Sequence, residues 1–255
     1  MTRTIHFQGI DNFRDLGGLS GRFGPISSGL LFRSGHLGGA TEEDLRRLSD
    51  LALDAIVDLR RPSERLQAPN RLPAGFTGAV LTSDQGDRAE SPHIAFLRQD
   101  DLSDAAIERY LIGYYRQAPF EPRHRDLFAR GFALIADSPG PVLIHCAAGK
   151  DRTGLLAALI QQVLGAHGDD VMNDFLAINA SASPERIAAA RSALARLTGR
   201  QPSEAALKGY LGVAQNHLEA ALAEINRRGG GLEAYLESLG VDQDTQHQIR
   251  LRFLI

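Results

Sequence analysis

The sequence is poor in cysteine, in long apolar runs and in charge of one sign, and each shortage excludes a class of protein. Its 255 residues include one cysteine, Cys146, which excludes an intrachain disulfide and any need for an oxidising compartment. The longest apolar helical candidate, "LLAALIQQVLG" at 155–165, is shorter than the roughly 20 residues that a membrane span requires. The net charge of −3 gives no strongly basic face, which argues against binding of nucleic acid.

The start of the chain and its composition predict where the protein works. The first residues, "MTRTIHFQGIDNFRD", lack the apolar segment of a signal peptide. We therefore expect a cytoplasmic protein without stable membrane insertion, with nonclassical secretion as the alternative. A content of 43% hydrophobic and 23% charged residues is ordinary for a globular protein. The length favours a single domain over residues 1–255, and the sequence makes no prediction about oligomeric state.

The order of apolar patterns predicts an α/β fold. Four short apolar runs bounded by turn residues predict buried strands: "GLLFRSG", "DAIVDLR", "GAVLTS" and "PVLIHC". Helical patterns lie between them, including "TEEDLRRLSDL", in which Thr41 is the expected N-cap. From about residue 152 onward almost only helical patterns follow. This order predicts a sheet flanked by helices, with an extra helical layer formed by the C-terminal part.

One polar, acidic segment, "SDQGDRAESPHIAFLRQDD" at 83–101, shows no regular period at its start. A long irregular segment within a compact domain is either functional or disordered. Two interpretations stay open, a solvated surface loop and a helical flap over an active site. The second would place the flap at about 84–118.

The chemistry of the chain is concentrated in "HCAAGKDRT" at 145–153. An apolar strand delivers Cys146 to a short loop, and a helix begins near Arg152. A helix N-terminus presents unpaired N–H groups and about half a positive charge, so a loop that runs into it can cradle an anion. Gly149 permits the turn, and the planar guanidinium of Arg152 can bind two phosphate oxygens at once. The segment therefore predicts a phosphate site with a thiol at its floor.

The position of Cys146 predicts a nucleophile. An ordinary thiol, with a pKa of about 8.5, is only about 3% ionised at pH 7. A helix dipole supplies about 0.3–2 kcal/mol towards ionisation, and loop amides, the Thr153 hydroxyl and Arg152 can supply more. The alternative is a buried cysteine that serves as a small apolar residue. The joint pattern of His-Cys, five residues and Arg-Thr favours the nucleophile.

These residues carry a resemblance to a known family. "HCAAGKDRT" has the C-x5-R-[ST] signature of the cysteine-dependent phosphatase superfamily. With Lys150 and Asp151 inside the loop, it resembles the atypical bacterial tyrosine phosphatases of PtpB type, which also act on phosphoinositides. The resemblance extends through "DNFRDLGG", "LLFRSGHL", "IVDLRRPSE", "ERYLIGYYRQ" and "GLEAYLESLG". It implies one phosphatase domain whose tyrosine-phosphatase-like sheet has about four to five mainly parallel strands, with a helical flap.

The resemblance also implies a role for each residue of the loop. Cys146 would form the phosphocysteine, Arg152 would clamp the phosphoryl group, and His145 would orient the cysteine. Thr153 would help to release the intermediate. The substrate would be bound by the loop residues Ala147, Ala148, Gly149, Lys150, Asp151 and Arg152.

The general acid has three candidates. Asp151 lies in the loop itself, where PtpB-type proteins also have aspartate, and Asp84 and Asp87 begin the irregular segment. A carboxyl beside a bound phosphate is easily kept protonated, which suits an acid. We rank Asp151 above Asp84 and Asp87 third, while the alternative for Asp151 is a structural ion pair. Lys150 would favour polyanionic substrates, or would be a solvated or ion-paired lysine.

The predicted function is a cofactor-free phosphomonoester hydrolase that acts through a phosphocysteine. Its substrates would be phosphotyrosine proteins, with phosphoserine and phosphothreonine as further options, and phosphoinositides. The scattered histidines show no close ligand spacing, so we expect no metal site. Two alternatives remain, an enzyme that acts mainly on phosphoinositides and a phosphate-recognition module without turnover.

Overall fold

A five-stranded, mainly parallel sheet forms the centre of the fold. The computed structural model describes residues 3–85, 92–98, 103–181, 184–199 and 201–255. Its strands are β1 (Arg14–Asp15), β2 (Ser20–Gly21), β3 (Gly24–Pro25), β4 (Leu31–Ser34), β5 (Ala55–Asp58), β6 (Ala79–Leu81) and β7 (Val142–His145). Its α-helices are α1 (Glu42–Asp50), α2 (Pro62–Gln67), α3 (Pro92–Leu97), α4 (Asp104–Gln117), α5 (Pro122–Asp137), α6 (Asp151–Val163), α7 (Gly168–Leu176), α8 (Pro184–Thr198), α9 (Glu204–Leu211), α10 (Gln215–Gly229), α11 (Leu232–Glu237) and α12 (Gln243–Phe253).

The sheet places β7 at its centre. Its strand order is β1-β4-β7-β5-β6, with β1 antiparallel to β4 and the other pairs parallel. Ser34 of β4 and Asp58 of β5 both lie beside His145 of β7. The carboxyl ends of three neighbouring strands therefore meet at one edge, where ligands bind in open α/β sheets. Cys146 follows directly at this edge.

The central strands are buried on both faces because their side chains alternate between two cores. Val142 and Ile144 of β7 join the larger core, which includes side chains of α5, α6 and α10 to α12. Leu143, between them, joins a smaller core with Phe13 and Leu48 on the other face. This period of two explains why the strands read as continuous apolar runs rather than as alternating patterns.

The α/β fold class is confirmed, and so are all four predicted strands, as β4 to β7. Two details differ from the expectation. The strand β6 is an edge strand, and its Val80 is 42% exposed, so this strand is not buried as predicted. The two-residue β1, which lies within "DNFRDLGG", was not predicted because it is too short to show a period.

The helices follow local signals where those signals are strong. Thr41 caps α1 as predicted, because its side chain accepts a hydrogen bond of 3.2 Å from the N–H of Asp44. Helix α6 is apolar on nearly all sides because it lies inside the larger core. Every regular element described after β7 is a helix. No helix among the residues described is both long and apolar enough to cross a membrane.

The predicted flap at about 84–118 falls only partly on described residues. Helices α3 and α4 lie within it. Residues 86–91 and 99–102 lie outside the described part of the chain, and Asp87 is among them. The action of α3 and α4 as a flap stays a prediction.

Candidate active site

The loop after β7 makes a tight turn that only glycine fits. Cys146 is 2% exposed at the end of β7, and α6 begins five residues later at Asp151. Between them, Gly149 has a φ of +64°, which is strained for residues with a Cβ. A Cβ at this position would also lie 2.3 Å from the carbonyl oxygen of Ser34. Gly149 therefore lets the loop pack directly against the end of β4.

The loop turns its carbonyl groups towards the protein. The Ala147 carbonyl accepts a hydrogen bond of 3.0 Å from the N–H of His36. The Gly149 carbonyl accepts two, each of 2.8 Å, from Nδ2 of Asn12 and Nη2 of Arg33. In the described part of the chain, the four N–H groups of residues 147–150 have no acceptor. Because unpaired N–H groups need a partner, this loop is suited to receive an anion.

Arg152 is held ready for an anion by Glu64 of α2. Its Nη1 and Nη2 donate to the two carboxylate oxygens of Glu64 at 2.6 and 2.7 Å. Nη1 also donates to the Leu59 carbonyl at 3.1 Å. Burial opposes the charge of Glu64, but Arg152, together with the N–H of Arg61 and the charge of Arg123, lowers the pKa of Glu64 to about 2. Burial likewise opposes the charge of Arg152, but Glu64, with smaller contributions from Cys146 and Tyr114, raises the pKa of that guanidinium. Both groups are therefore ionised at neutral pH.

His145, the residue before the cysteine, is a neutral ring. It is fully buried, and burial lowers its pKa to about 4 despite the nearby Asp58. Its Nδ1 lies 3.3 Å from the Cys146 carbonyl, and its Nε2 lies 3.7 Å from Oδ2 of Asp58. The side chain thus contacts the main chain of Cys146, which is the place that an orienting role requires.

Thr153 is fully buried in the first turn of α6, and its hydroxyl has no hydrogen-bond partner among the described residues. An unpartnered buried hydroxyl carries a free-energy cost of about 1–3 kcal/mol. In this structure the hydroxyl makes no hydrogen bond to Cys146.

The structure separates the candidate acids. Asp151 is 13% exposed, and its Oδ1 accepts a hydrogen bond of 2.7 Å from the Tyr115 hydroxyl. It lines the same cavity as Cys146. Asp84 is 81% exposed, is ion-paired with Arg65, and does not line that cavity. Among the described candidates, Asp151 is therefore the carboxylate that the fold brings to the cysteine.

Lys150 is buried, so it is not the solvated lysine of the alternative interpretation. It is 5% exposed, and its Nζ donates to the carbonyls of Gly209 and Tyr210, each at 3.0 Å. A weaker contact of 3.6 Å joins Nζ to Oδ2 of Asp151. These carbonyls end α9, where the helix dipole favours a cation. Lys150 thus connects the loop to α9.

The loop forms one end of a cavity of about 470 Å³. Asp11, His36 and Glu64 line the cavity near the loop. Most of the remaining lining is apolar and comes from α3, α4, α8 and α9, including Phe96, Leu97, Ile107, Leu111, Ala190 and Leu211. The contribution of α8 and α9 was not predicted from the sequence. A phosphate in the loop would therefore carry the rest of its molecule into apolar surroundings.

Comparison with known proteins identifies the family of the chain. A model described as "Tyrosine phosphatase family" matches residues 5–255. The chain belongs to this family. It is 33% identical over 240 residues to a Cupriavidus necator protein provisionally named as a tyrosine-protein phosphatase, covering 93% of this chain and 85% of the relative. It is also 29% identical over 269 residues to the triple specificity protein phosphatase PtpB of Mycobacterium tuberculosis, covering 95% of this chain and 96% of that protein.

A third relative, a tyrosine-protein phosphatase of Nostoc commune, is 28% identical over 236 residues and covers 89% of this chain and 75% of its own length. These matches span nearly the whole chain rather than the loop alone. The predicted resemblance is confirmed, and the protein is a tyrosine phosphatase of PtpB type.

Two residues of this phosphatase's site were missed from the sequence. Glu64 is the last residue of "RPSE", a pattern typical of a helix start, and is the third residue of α2. This pattern could have placed Glu64 at the turn between a strand and a helix. Asn12 has a φ of +58°, a conformation in which asparagine is enriched. The sequence does not indicate that Glu64 binds Arg152 or that Asn12 binds the Gly149 carbonyl, because the two residues of each pair lie far apart in the chain.

Proposed function

We propose that this phosphatase hydrolyses phosphomonoesters through a covalent phosphocysteine at Cys146. The observation that carries the proposal is the loop itself. Its carbonyls at Ala147 and Gly149 accept hydrogen bonds from the surrounding protein, and its N–H groups lack acceptors within the described chain. Arg152 lines the same cavity as the loop. Such a loop stabilises negative charge both on a thiolate and on a phosphoryl group.

The first step transfers the phosphoryl group to sulfur. The Cys146 thiolate attacks phosphorus, an S–P bond forms, and the P–O bond to the leaving group breaks. Arg152 and the loop N–H groups bind the non-bridging oxygens. Asp151 gives its proton to the leaving oxygen, because of the candidate acids Asp151 and Asp84 it is the one that lines the cavity with Cys146.

The second step returns the enzyme to its starting state. A water molecule attacks phosphorus, Asp151 takes one of its protons, and the S–P bond breaks to give phosphate and the thiolate. The Thr153 hydroxyl donates a hydrogen bond to the departing sulfur. This hydroxyl is buried and has no hydrogen-bond partner among the described residues. His145 holds the main chain of Cys146 in place. The cycle uses no cofactor.

The substrates that we propose are phosphotyrosine proteins, with phosphoserine and phosphothreonine proteins and phosphoinositides as further substrates. The name of the M. tuberculosis relative, a triple specificity phosphatase, supports more than one substrate class. The apolar walls of the cavity suit the ring of phosphotyrosine. Helices α3 and α4 would act as a flap, since both contribute side chains to those walls.

Hydrolysis of p-nitrophenyl phosphate by the Cys146→Ser variant tests the mechanism. We expect turnover to disappear while phosphate binding remains, because serine preserves the loop but is a far weaker nucleophile. Turnover that survives this substitution would overturn the proposed mechanism. Binding without turnover in the unchanged enzyme would instead favour a phosphate-recognition module.

A second assay addresses the substrate. Phosphate release is compared for a phosphotyrosine peptide, a phosphoserine peptide and a panel of phosphoinositides. We expect the phosphotyrosine peptide to be hydrolysed. Activity confined to the phosphoinositides would favour the alternative of a phosphoinositide phosphatase.

A further inference from the structure

The orientation of the Gly149–Lys150 peptide group decides whether the main-chain N–H of Lys150 can bind an anion in the loop. In a planar trans peptide, the C=O of one residue and the N–H of the next point in opposite directions. A donor that fixes the Gly149 carbonyl therefore also fixes the N–H of Lys150. In this structure two donors bind that carbonyl oxygen, Nδ2 of Asn12 and Nη2 of Arg33, each at 2.8 Å. The N–H of Lys150 consequently faces the opposite side.

The amide of Asn12 can bind in one orientation only. Its Oδ1 accepts a hydrogen bond from Nη1 of Arg14, and a guanidinium offers donors alone. The Nδ2 end must therefore face the Gly149 carbonyl, as it does. Arg14 is itself fixed, because its Nε donates to Oδ1 of Asp174 at 2.9 Å and its Nη2 donates to the Asp174 carbonyl at 2.7 Å. A chain of hydrogen bonds from Asp174 through Arg14 thus sets the direction of the Asn12 amide.

The backbone of Asn12 is adapted to this task. Its φ of +58° lies in the left-handed region, where asparagine, aspartate and glycine are the residues most readily accommodated. Neighbouring atoms tie the same turn to β4, since the N–H of Gly35 donates to the Asp11 carbonyl at 2.8 Å. The side chain therefore projects from a fixed main chain towards a loop that is 137 residues away in sequence.

We propose that Asn12 is a positioning residue of the phosphatase, which turns the Gly149–Lys150 peptide so that the N–H of Lys150 meets the phosphoryl oxygens. This inference rests on the proposed role of the loop. Asn12 acts through the peptide and need not touch the substrate. Arg33 shares the same carbonyl, so loss of Asn12 loosens the orientation of the peptide without leaving the carbonyl unpaired.

The test is the affinity for inorganic phosphate, measured by calorimetry in the Cys146→Ser background. Asn12→Gly keeps the positive φ and removes the amide, and we expect it to weaken phosphate binding roughly three- to tenfold. Asn12→Asp keeps an acceptor for Arg14 but places an oxygen where the donor stood, and we expect a loss of about tenfold or more. The melting temperature without phosphate is measured for each variant.

A matched control separates positioning from general stability. Gln246→Ala removes hydrogen bonds to the Val241 carbonyl and to Glu233 in the C-terminal helices, and should lower the melting temperature without changing phosphate affinity. If both Asn12 variants bind phosphate as tightly as the parent, the inference is overturned, whatever their melting temperatures. Failure of the proposed function would show itself separately, as turnover that survives Cys146→Ser.

Discussion

Replacing Glu64 with glutamine removes the charge that balances Arg152. Both carboxylate oxygens of Glu64 bind that guanidinium, at 2.6 and 2.7 Å, and the side chain of Glu64 is 21% exposed. Glutamine has nearly the same shape but leaves Arg152 with an uncompensated charge. Removing one partner of a buried ion pair costs about 3–5 kcal/mol, so we expect a marked loss of folding free energy.

The pKa of Glu64 gives an independent magnitude. The carboxyl titrates at about 2 in the folded protein against an ordinary value of 4.5, a difference worth about 3 kcal/mol. Solvent screening at a partly exposed side chain reduces this to about 2 kcal/mol. Because the folded-state pKa is lowered, the stabilisation is complete above pH 4.5 and is lost as the pH falls towards 2. The difference between parent and Glu64→Gln should therefore shrink over that range.

Urea unfolding of both proteins at pH 7, 4 and 3 measures this difference. Glu43→Gln is the control, since Glu43 forms an exposed ion pair with Arg46 within α1 and should leave the free energy of unfolding nearly unchanged. A Glu64→Gln difference below about 0.5 kcal/mol at pH 7, or one that stays constant down to pH 3, would refute the reasoning. The same variant should have a lower kcat/KM, because Arg152 is no longer held in position.

Three further predictions follow from the site. Asp151→Asn should reduce kcat far more on phenyl phosphate than on p-nitrophenyl phosphate, because a poor leaving group needs the proton. Asp84→Asn should show no such dependence on the leaving group. The reverse pattern would make Asp84 the acid. Gly149→Ala should abolish turnover, because its Cβ would meet the Ser34 carbonyl at 2.3 Å; full activity would mean that the turn is not needed. In the parent, the free energy of unfolding should fall as the pH drops from 6.5 to 4, because His145, with a pKa of about 4 in the folded protein, takes up a proton on unfolding in that range. His145→Gln should make this fall smaller in urea unfolding experiments. An unchanged dependence on pH would contradict a neutral buried ring.

Short-range patterns predicted the parts of the fold whose causes are local. The strand runs, the N-cap Thr41 and the turn at Gly149 each depend on a few neighbouring residues, and each appears in the structure. The loop from Cys146 to Arg152 was predicted for the same reason, since the strand end, the turn and the helix start are contiguous in sequence. Its outline therefore needed no knowledge of tertiary contacts.

The surroundings of the loop could not be predicted because they come from distant parts of the chain. Glu64 meets Arg152 across 88 residues, and Lys150 meets Tyr210 across 60. A helical period predicts that α8 and α9 are amphipathic, but it does not say which neighbour covers the apolar face. The exposure of β6 could not be predicted for the same reason, because its place at the sheet edge depends on the order of the strands rather than on its own composition.

Positive charges outnumber negative ones in the cluster around Asp174 behind the loop, and this excess favours an anion bound in the loop. Asp174 is 1% exposed and faces three guanidinium groups: Nε of Arg14 at 2.9 Å, Nη1 of Arg33 at 2.6 Å and Nη2 of Arg3 at 3.3 Å. One carboxylate cannot neutralise three cations. Arg33 also reaches the Gly149 carbonyl, so the surplus positive charge lies directly behind the loop. A bound phosphate and an ionised cysteine would both be stabilised there, because charges in surroundings of low dielectric interact strongly. Glu64 balances Arg152 on the other side, which keeps that guanidinium in place before a substrate arrives.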